Sequence, residues 1–216
     1  ACGRCGNENT PLTTGAGDKG RKRAGWARTE QGRGQNGGAK AGDGLKWAFP
    51  RGDMAVTGTG VAVKTALALG AWVGFSGKAG SEAMVMGDLV LLENEIDPVM
   101  LKMIEGGLEI TAVHNHLLRA SPATFYMHIG GHGDPAKMAA VIHDALAVSK
   151  TPLTTPTSAA APPAVDLDTA QLDQIIGVKG HANGGVYQFN VPRRDPVTAN
   201  GMQMTPPAPL RAASRE

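Results

Sequence analysis

Cysteine, aromatic residues and long apolar runs are all scarce in this chain of 216 residues. No run approaches the roughly 18 apolar residues that a membrane-spanning helix needs. No basic-then-apolar leader is present either, so the chain as given is expected to stay in the cytoplasm. The only cysteines, Cys2 and Cys5, lie in a glycine-rich opening. C-x-x-C there lacks the second half-site that zinc needs and the βαβ context of a redox pair. The absence of H-E-x-x-H weighs against a zinc peptidase. The formal charge of +2 conceals an imbalance: residues 1–40 hold eight Lys/Arg against three Asp/Glu, a net of +5, leaving −3 for the rest. The basic character is confined to that tail, which argues against a nucleic-acid-binding domain and against nucleic acid as a partner.

Residues 1–40, almost devoid of Ile, Leu and Val, show no hydrophobic period and read as a disordered or non-native tail with no core to bury. Order is expected from about Gly44. Leu45–Phe49 alternates as a strand ending at Pro50, Arg51-Gly52-Asp53 turns the chain, and Val61-Ala62-Val63 makes a short return. Leu67–Phe75 and Ala83–Leu92 read as longer strands around the turn 76–80. Within the second, Asp88 follows Gly87 in an apolar run, a costly place for a carboxylate unless it is paired or sits at a bulge. It is a candidate partner for a metal-bound histidine.

Ile96, Val99, Met100, Met103 and Ile104 fall at i, i+3, i+4, i+7 and i+8, one apolar helical stripe. Asp97-Pro98 supplies an expected N-cap and N1 proline, and Gly106-Gly107 the stop. Glu93 and Glu95 precede the stripe, where carboxylates favour the positive end of a helix. A second helix is expected behind Asp134-Pro135, with Met138, Val141, Ile142, Ala145 and Leu146 as its stripe. The order β-β-β-α-β-β-α, with tight turns, predicts an α+β fold: a mainly antiparallel sheet with two helices on one side.

Between those helices lies the densest chemistry. Four of the six histidines fall within Ile110–Asp134: His114, His116, His128 and His132. Two apolar runs around Arg119-Ala120-Ser121-Pro122 predict a β-hairpin. Alternate residues of a strand share a face, so His114 and His116 point the same way. Pairing Tyr126 with His116 sets His128 opposite His114. Three imidazoles then converge with a fourth position open, which is what a catalytic zinc ion requires. His143 flanks its helical stripe and reads as a surface residue.

Residues 151–167, rich in Thr, Pro and Ala, read as a semi-stiff linker. Beyond them, Gly184-Gly185-Val186-Tyr187-Gln188-Phe189-Asn190-Val191-Pro192-Arg193-Arg194-Asp195 repeats the pattern of Gly42-Asp43-Gly44-Leu45-Lys46-Trp47-Ala48-Phe49-Pro50-Arg51-Gly52-Asp53 at an offset of 142. Residues 168–216 are therefore expected to open a second, truncated copy of the domain spanning 41–150.

The segments Met84–Leu91, Glu95–Val99, Glu109–Leu117 and Met127–Asp134 resemble the LppY/LpqO domain family. The resemblance covers about residues 41–150, with a repeat start at 168–205, and excludes residues 1–40. It implies a bacterial domain of unknown function, found as two tandem copies and often exported or lipid-anchored. A single complete copy would expose the surface its twin normally covers, which predicts a homodimer.

The residues suggest a metal-dependent hydrolase for a small-molecule phosphoester (phosphotriesterase-like) or activated ester. His114, His116 and His128 would hold a divalent ion, zinc first. His132, Glu95 or Asp88 would be a fourth ligand or an outer partner. Glu95, Glu93 or Asp88 is the candidate base, and Arg51 or Lys64 the candidate oxyanion donor. Alternatives are a non-catalytic metal- or ligand-binding module of the bacterial envelope, and a copper or iron redox enzyme.

Overall fold

The computed structural model describes residues 38–39, 44–77, 81–153, 164–191, 197–199 and 201–204. Cys2, Cys5 and most of the glycine-rich tail lie outside the described residues. The strands are β1 (Gly38–Ala39), β2 (Gly44–Pro50), β3 (Thr57–Gly58), β4 (Val61–Ala62), β5 (Gly70–Gly77), β6 (Ala83–Leu92), β7 (Glu109–His114), β8 (Ala120–Ser121) and β9 (Thr124–Gly133). Towards the C-terminus follow β10 (His181–Asn183), β11 (Val186–Gln188), β12 (Val197–Ala199) and β13 (Met202–Met204). The helices are α1 (Thr65–Ala68), α2 (Glu93–Glu105), α3 (Pro135–Ala147) and α4 (Thr169–Ile176).

Six strands form one sheet in the order β1-β2-β5-β6-β9-β7, antiparallel at every pairing. Strand β9 lies between β6 and β7, so those two run parallel to one another with α2 as their crossover. Helices α2 and α3 pack together and against β6 and β9. The α+β reading, antiparallel with two helices on one side, is the observed architecture.

The period of two explains the two faces of the sheet. Leu45, Trp47 and Phe49 of β2, Val73 and Phe75 of β5, Val85, Leu89 and Leu91 of β6, and Met127 and Ile129 of β9 are buried in one core with Val99 and Met103 of α2 and Ile142, Ala145 and Leu146 of α3. Trp47 meets Phe75 edge to face at 5.6 Å between ring centroids, an arrangement that suits the ring quadrupoles. Gly131 of β9 also belongs to this side: a Cβ there would come within 2.6 Å of Leu108 Cδ2. That glycine serves packing.

Helix α2 begins four residues before the expected cap, at Glu93, with Pro98 inside it. The cause is Glu95, whose carboxylate accepts the Leu92 N–H at 2.9 Å and so anchors an earlier first turn. The stop is as expected. Gly107 takes φ +82°, Leu108 N–H reaches the Met103 carbonyl at 2.9 Å and Gly107 N–H that of Ile104 at 3.0 Å, the Schellman pattern that a glycine at C′ permits. The stripe is narrower than its spacing suggested, since Ile104 is 54% exposed. Helix α3 starts behind Asp134, whose Oδ1 accepts the N–H groups of Ala136 and Lys137 at 2.9 and 3.0 Å.

Three further expectations change. Leu67 and Ala68 belong to the helical turn α1, and the strand starts at Gly70. Ordered pairing begins at Gly38 and Ala39, opposite Lys46 and Leu45, inside the segment read as tail. Gly87 and Asp88 form no bulge, because β6 pairs with β9 without interruption from Ala83 to Leu92.

The C-terminal segment lies against α1 of the same chain: Lys64 Nζ donates to the Gly185 carbonyl at 2.8 Å and Gln188 Nε2 to that of Ala66 at 3.0 Å. Hairpins β3–β4 and β12–β13 have the same spacing: Thr57 faces Ala62 and Thr198 faces Gln203, an offset of 141, one residue short of the sequence repeat. Gly60 and Gly201 in their turns have positive φ, +83° and +75°, as tight hairpin turns demand.

At the end of β2 the fully buried Arg51 ties the sheet to α2. Its Nη1 donates to Glu95 Oε2 at 2.9 Å and to the Val90 carbonyl at 2.6 Å, and its Nη2 to Glu95 Oε1 at 3.2 Å and Asp53 Oδ2 at 2.9 Å. Its Nε donates to Asp53 Oδ1 at 3.0 Å. Burial opposes the charge of Glu95, but the hydrogen bonds from Arg51, Leu92 and Lys150, with the Arg51 charge, outweigh it and hold this carboxyl below its usual pKa. A lowered carboxyl stabilises the fold above its unfolded pKa of about 4.5, and that contribution is lost as pH falls through the folded value. Glu95→Gln should therefore cost about 1.5–3 kcal/mol at pH 7, because Arg51 keeps Asp53 but loses its charge-assisted bonds to Glu95. In urea unfolding, the gap between variant and wild type should narrow as pH drops below about 4.5.

Candidate metal centre

The face of the sheet away from the helices carries the histidines. In β9, Tyr126 and His128 point to this side, and in β6 Asp88 is directly opposite His128. His114 reaches the same side through an irregularity. Ile110 faces Ile129, but Ala112 faces His128, so Thr111 is an extra residue in β7. Without it, regular pairing would set His114 opposite Phe125, towards the helices. The bulge rotates the end of β7 by one residue and brings His114 opposite Tyr126.

The expected register, Tyr126 against His116 and His114 against His128, is thus off by two places. An even displacement preserves the face, so the convergence remains. His116 lies beyond the end of β7, and its ring stacks on Tyr126 at 3.6 Å between centroids. The His114 ring lies 4.8 Å from those of His116 and His128. Tyr126 is itself fixed, its hydroxyl donating to the Ala68 carbonyl at 2.7 Å. Asn115 turns elsewhere and donates its side-chain amide to the Thr124 carbonyl at 3.0 Å.

The result is a three-imidazole cluster. One ring nitrogen from each of His114, His116 and His128 lies within 4.8 Å of the others, and His114 Nε2 and His128 Nε2 are 2.7 Å apart. With metal–nitrogen bonds of about 2.0–2.1 Å, tetrahedral ligand nitrogens stand about 3.3 Å apart. The observed spacings bracket that value. These three histidines can hold a metal ion.

The other candidates are placed differently. His132 shares the face but is four residues along β9, roughly 13 Å from His128, with its Nδ1 3.9 Å from Glu82 Oε2. It is not part of the cluster. Glu95 has all its lone-pair directions used, Oε1 by Arg51 and the Lys150 N–H, Oε2 by Arg51 and the Leu92 N–H. A carboxylate so saturated cannot act as a base. All five N–H groups of Arg51 are likewise committed to Asp53, Glu95 and Val90, which leaves none for an oxyanion. Both residues have structural duties instead of the catalytic ones expected. Lys64 is engaged by Gly185. Among the candidate carboxylates, Asp88 approaches one member of the cluster, its Oδ1 3.8 Å from His128 Nε2, without belonging to the group of three.

A family model described as Domain of Unknown Function (DUF1259) matches residues 27–148. The chain belongs to this family. The match contains every strand and helix from β1 to α3 and the whole histidine cluster, and it begins within the glycine-rich segment that composition set aside. No curated protein and no solved structure matches the chain. Among the described residues no helix is long and apolar enough to cross a membrane.

Partial burial on Tyr126, together with repulsion from His114 and His128 and against the opposing pull of Asp88, lowers the pKa of His116. In metal-free protein its imidazole should therefore take up a proton below the ordinary value of 6.5. An NMR titration of the ring protons checks this. A midpoint at or above 6.5 would contradict the packing described.

Proposed function

We propose that this chain is a metal-dependent hydrolase that acts on a small phosphoester, in the manner of a phosphotriesterase, or on an activated ester. The observation behind this reading is the three-histidine cluster on the face of the sheet away from α2 and α3. A bound divalent ion, zinc first, supplies Lewis acidity and an activated water near neutral pH. The chain's own part is to hold three neutral imidazoles in place, through the Thr111 bulge, the Tyr126 stack and the β6–β9 pairing. The Asp88 carboxylate stands beside them.

A second reading, a non-catalytic metal- or ligand-binding module of the bacterial envelope, is favoured by Asp88. A fourth protein donor closes a tetrahedral ion and leaves no position for water. We also infer that the family is the LppY/LpqO group that the motifs resemble, and that residues 168–216 open a second, truncated copy. The matched hairpins β3–β4 and β12–β13 support this. A homodimer covering the face that a twin domain would occupy fits the same picture.

Elemental analysis of protein purified without a histidine tag should find close to one divalent ion per chain. His114→Ala and His128→Ala should lose it. Hydrolysis of a phosphotriester or activated-ester panel should fall in both variants by at least about 100-fold, the upper end of the loss caused by an outer partner alone. Stoichiometric metal with no turnover would favour the binding module; no metal would defeat the hydrolase and the metal-binding form of the module.

A further inference from the structure

Asp88 poses a problem that the hydrogen bonding of the fold leaves unsolved. Its side chain is only 15% exposed, and its Oδ1 is buried without a hydrogen-bond partner. A buried carboxylate oxygen without a partner is costly, most of all when the group is charged. Its nearest cationic candidate, His128 Nε2 at 3.8 Å, is too distant for a hydrogen bond. Nothing in the strand forces the residue there: β6 is regular through Asp88, and the flanking positions on the same face are Met86 and Val90.

The direction of the approach matters more than its distance. A carboxylate that orients a metal-bound histidine from outside bonds to the ring nitrogen that faces away from the ion. Asp88 Oδ1 instead stands near Nε2 of His128, the same atom that faces His114 Nε2 at 2.7 Å. It is on the ion's side of the ring. The spacing of about 3.3 Å between tetrahedral ligand atoms is reached by moves of roughly half an ångström in the His114–His128 and Asp88–His128 pairs.

We propose that Asp88 is the fourth protein ligand of the cation held by His114, His116 and His128, making a three-nitrogen, one-oxygen site. The proposal rests on the metal reading above and on neither catalysis nor its absence. It explains why an unpaired carboxylate is placed directly across the strand from His128. A mixed imidazole–carboxylate set suits zinc, and equally iron or manganese. An ion of five or six coordination keeps room for water beside these four donors.

The test uses the full chain, stripped of metal and titrated with Co²⁺ alone, followed by calorimetry and visible absorption. Wild type should bind one equivalent. Asp88→Asn, which keeps shape but removes charge, should bind at least about tenfold more weakly, the lower bound for losing even an outer partner, and with altered d–d bands. Equal affinity and an unchanged spectrum in Asp88→Asn would overturn the proposal while leaving the histidine site standing. Failure of wild type to bind would overturn both. The carbon-13 signal of the Asp88 carboxyl in wild type, followed during Zn²⁺ titration, does not depend on the variant folding. It should move with the first equivalent, and a static signal would overturn the proposal.

Discussion

Strand β9 is held on both edges, by β6 over ten residue pairs and by β7 through a bulged ladder. Most of what is distinctive in this protein follows from that double pairing. It fixes which residues of β9 face the helices and which face outward, because a one-residue slip would exchange the two sets. Met127 and Ile129 enter the core; Tyr126 and His128 stay on the opposite side. The β6 pairing then carries Asp88 to His128, and the bulge in β7 carries His114 to Tyr126. Three strands, each with its own constraint, deliver their side chains to one place.

The buried network at the start of α2 stands in contrast. Arg51 and Glu95 are as chemically conspicuous as the histidines, yet every donor and acceptor they own is satisfied within the fold. Their saturation joins β2, β6 and the head of α2, and the Lys150 N–H adds the segment behind α3. A charged residue with no bonding capacity left has a structural duty, whereas Asp88, with an oxygen unused, still has one to discharge. Hydrogen-bond accounting separates the two cases where residue type could not.

Much of the architecture was legible from residue periods. Alternation in Leu45–Phe49, the apolar run Ala83–Leu92 and the stripe Met138–Leu146 suffice to give strands and helix. The sharing of a face by His114 and His128 followed from counting in twos. Thr111 was not legible, since nothing about a threonine in an apolar strand marks it as the extra residue. The hairpin register was misjudged by two for a separate reason, since the connection between β7 and β9 is longer than the turn expected around 119–122, an error without consequence for the face. The early start of α2 escaped because Asp97-Pro98 is so strong a local cap signal. The competing anchor, Glu95 on Leu92, depends on an arginine far away in sequence. The roles of Arg51 and Glu95 were hidden for the same reason: ion pairs between distant segments leave no spacing to read.

X-ray absorption at the metal edge of zinc-loaded protein tests whether imidazoles from β7, its following loop and β9 bind one cation together. Joint ligation gives a shell of nitrogen and oxygen at about 2.0–2.1 Å with the multiple scattering of three imidazoles. A shell containing sulfur at about 2.3 Å, the signature of Cys2 and Cys5 as ligands, or one without imidazole scattering, would contradict it.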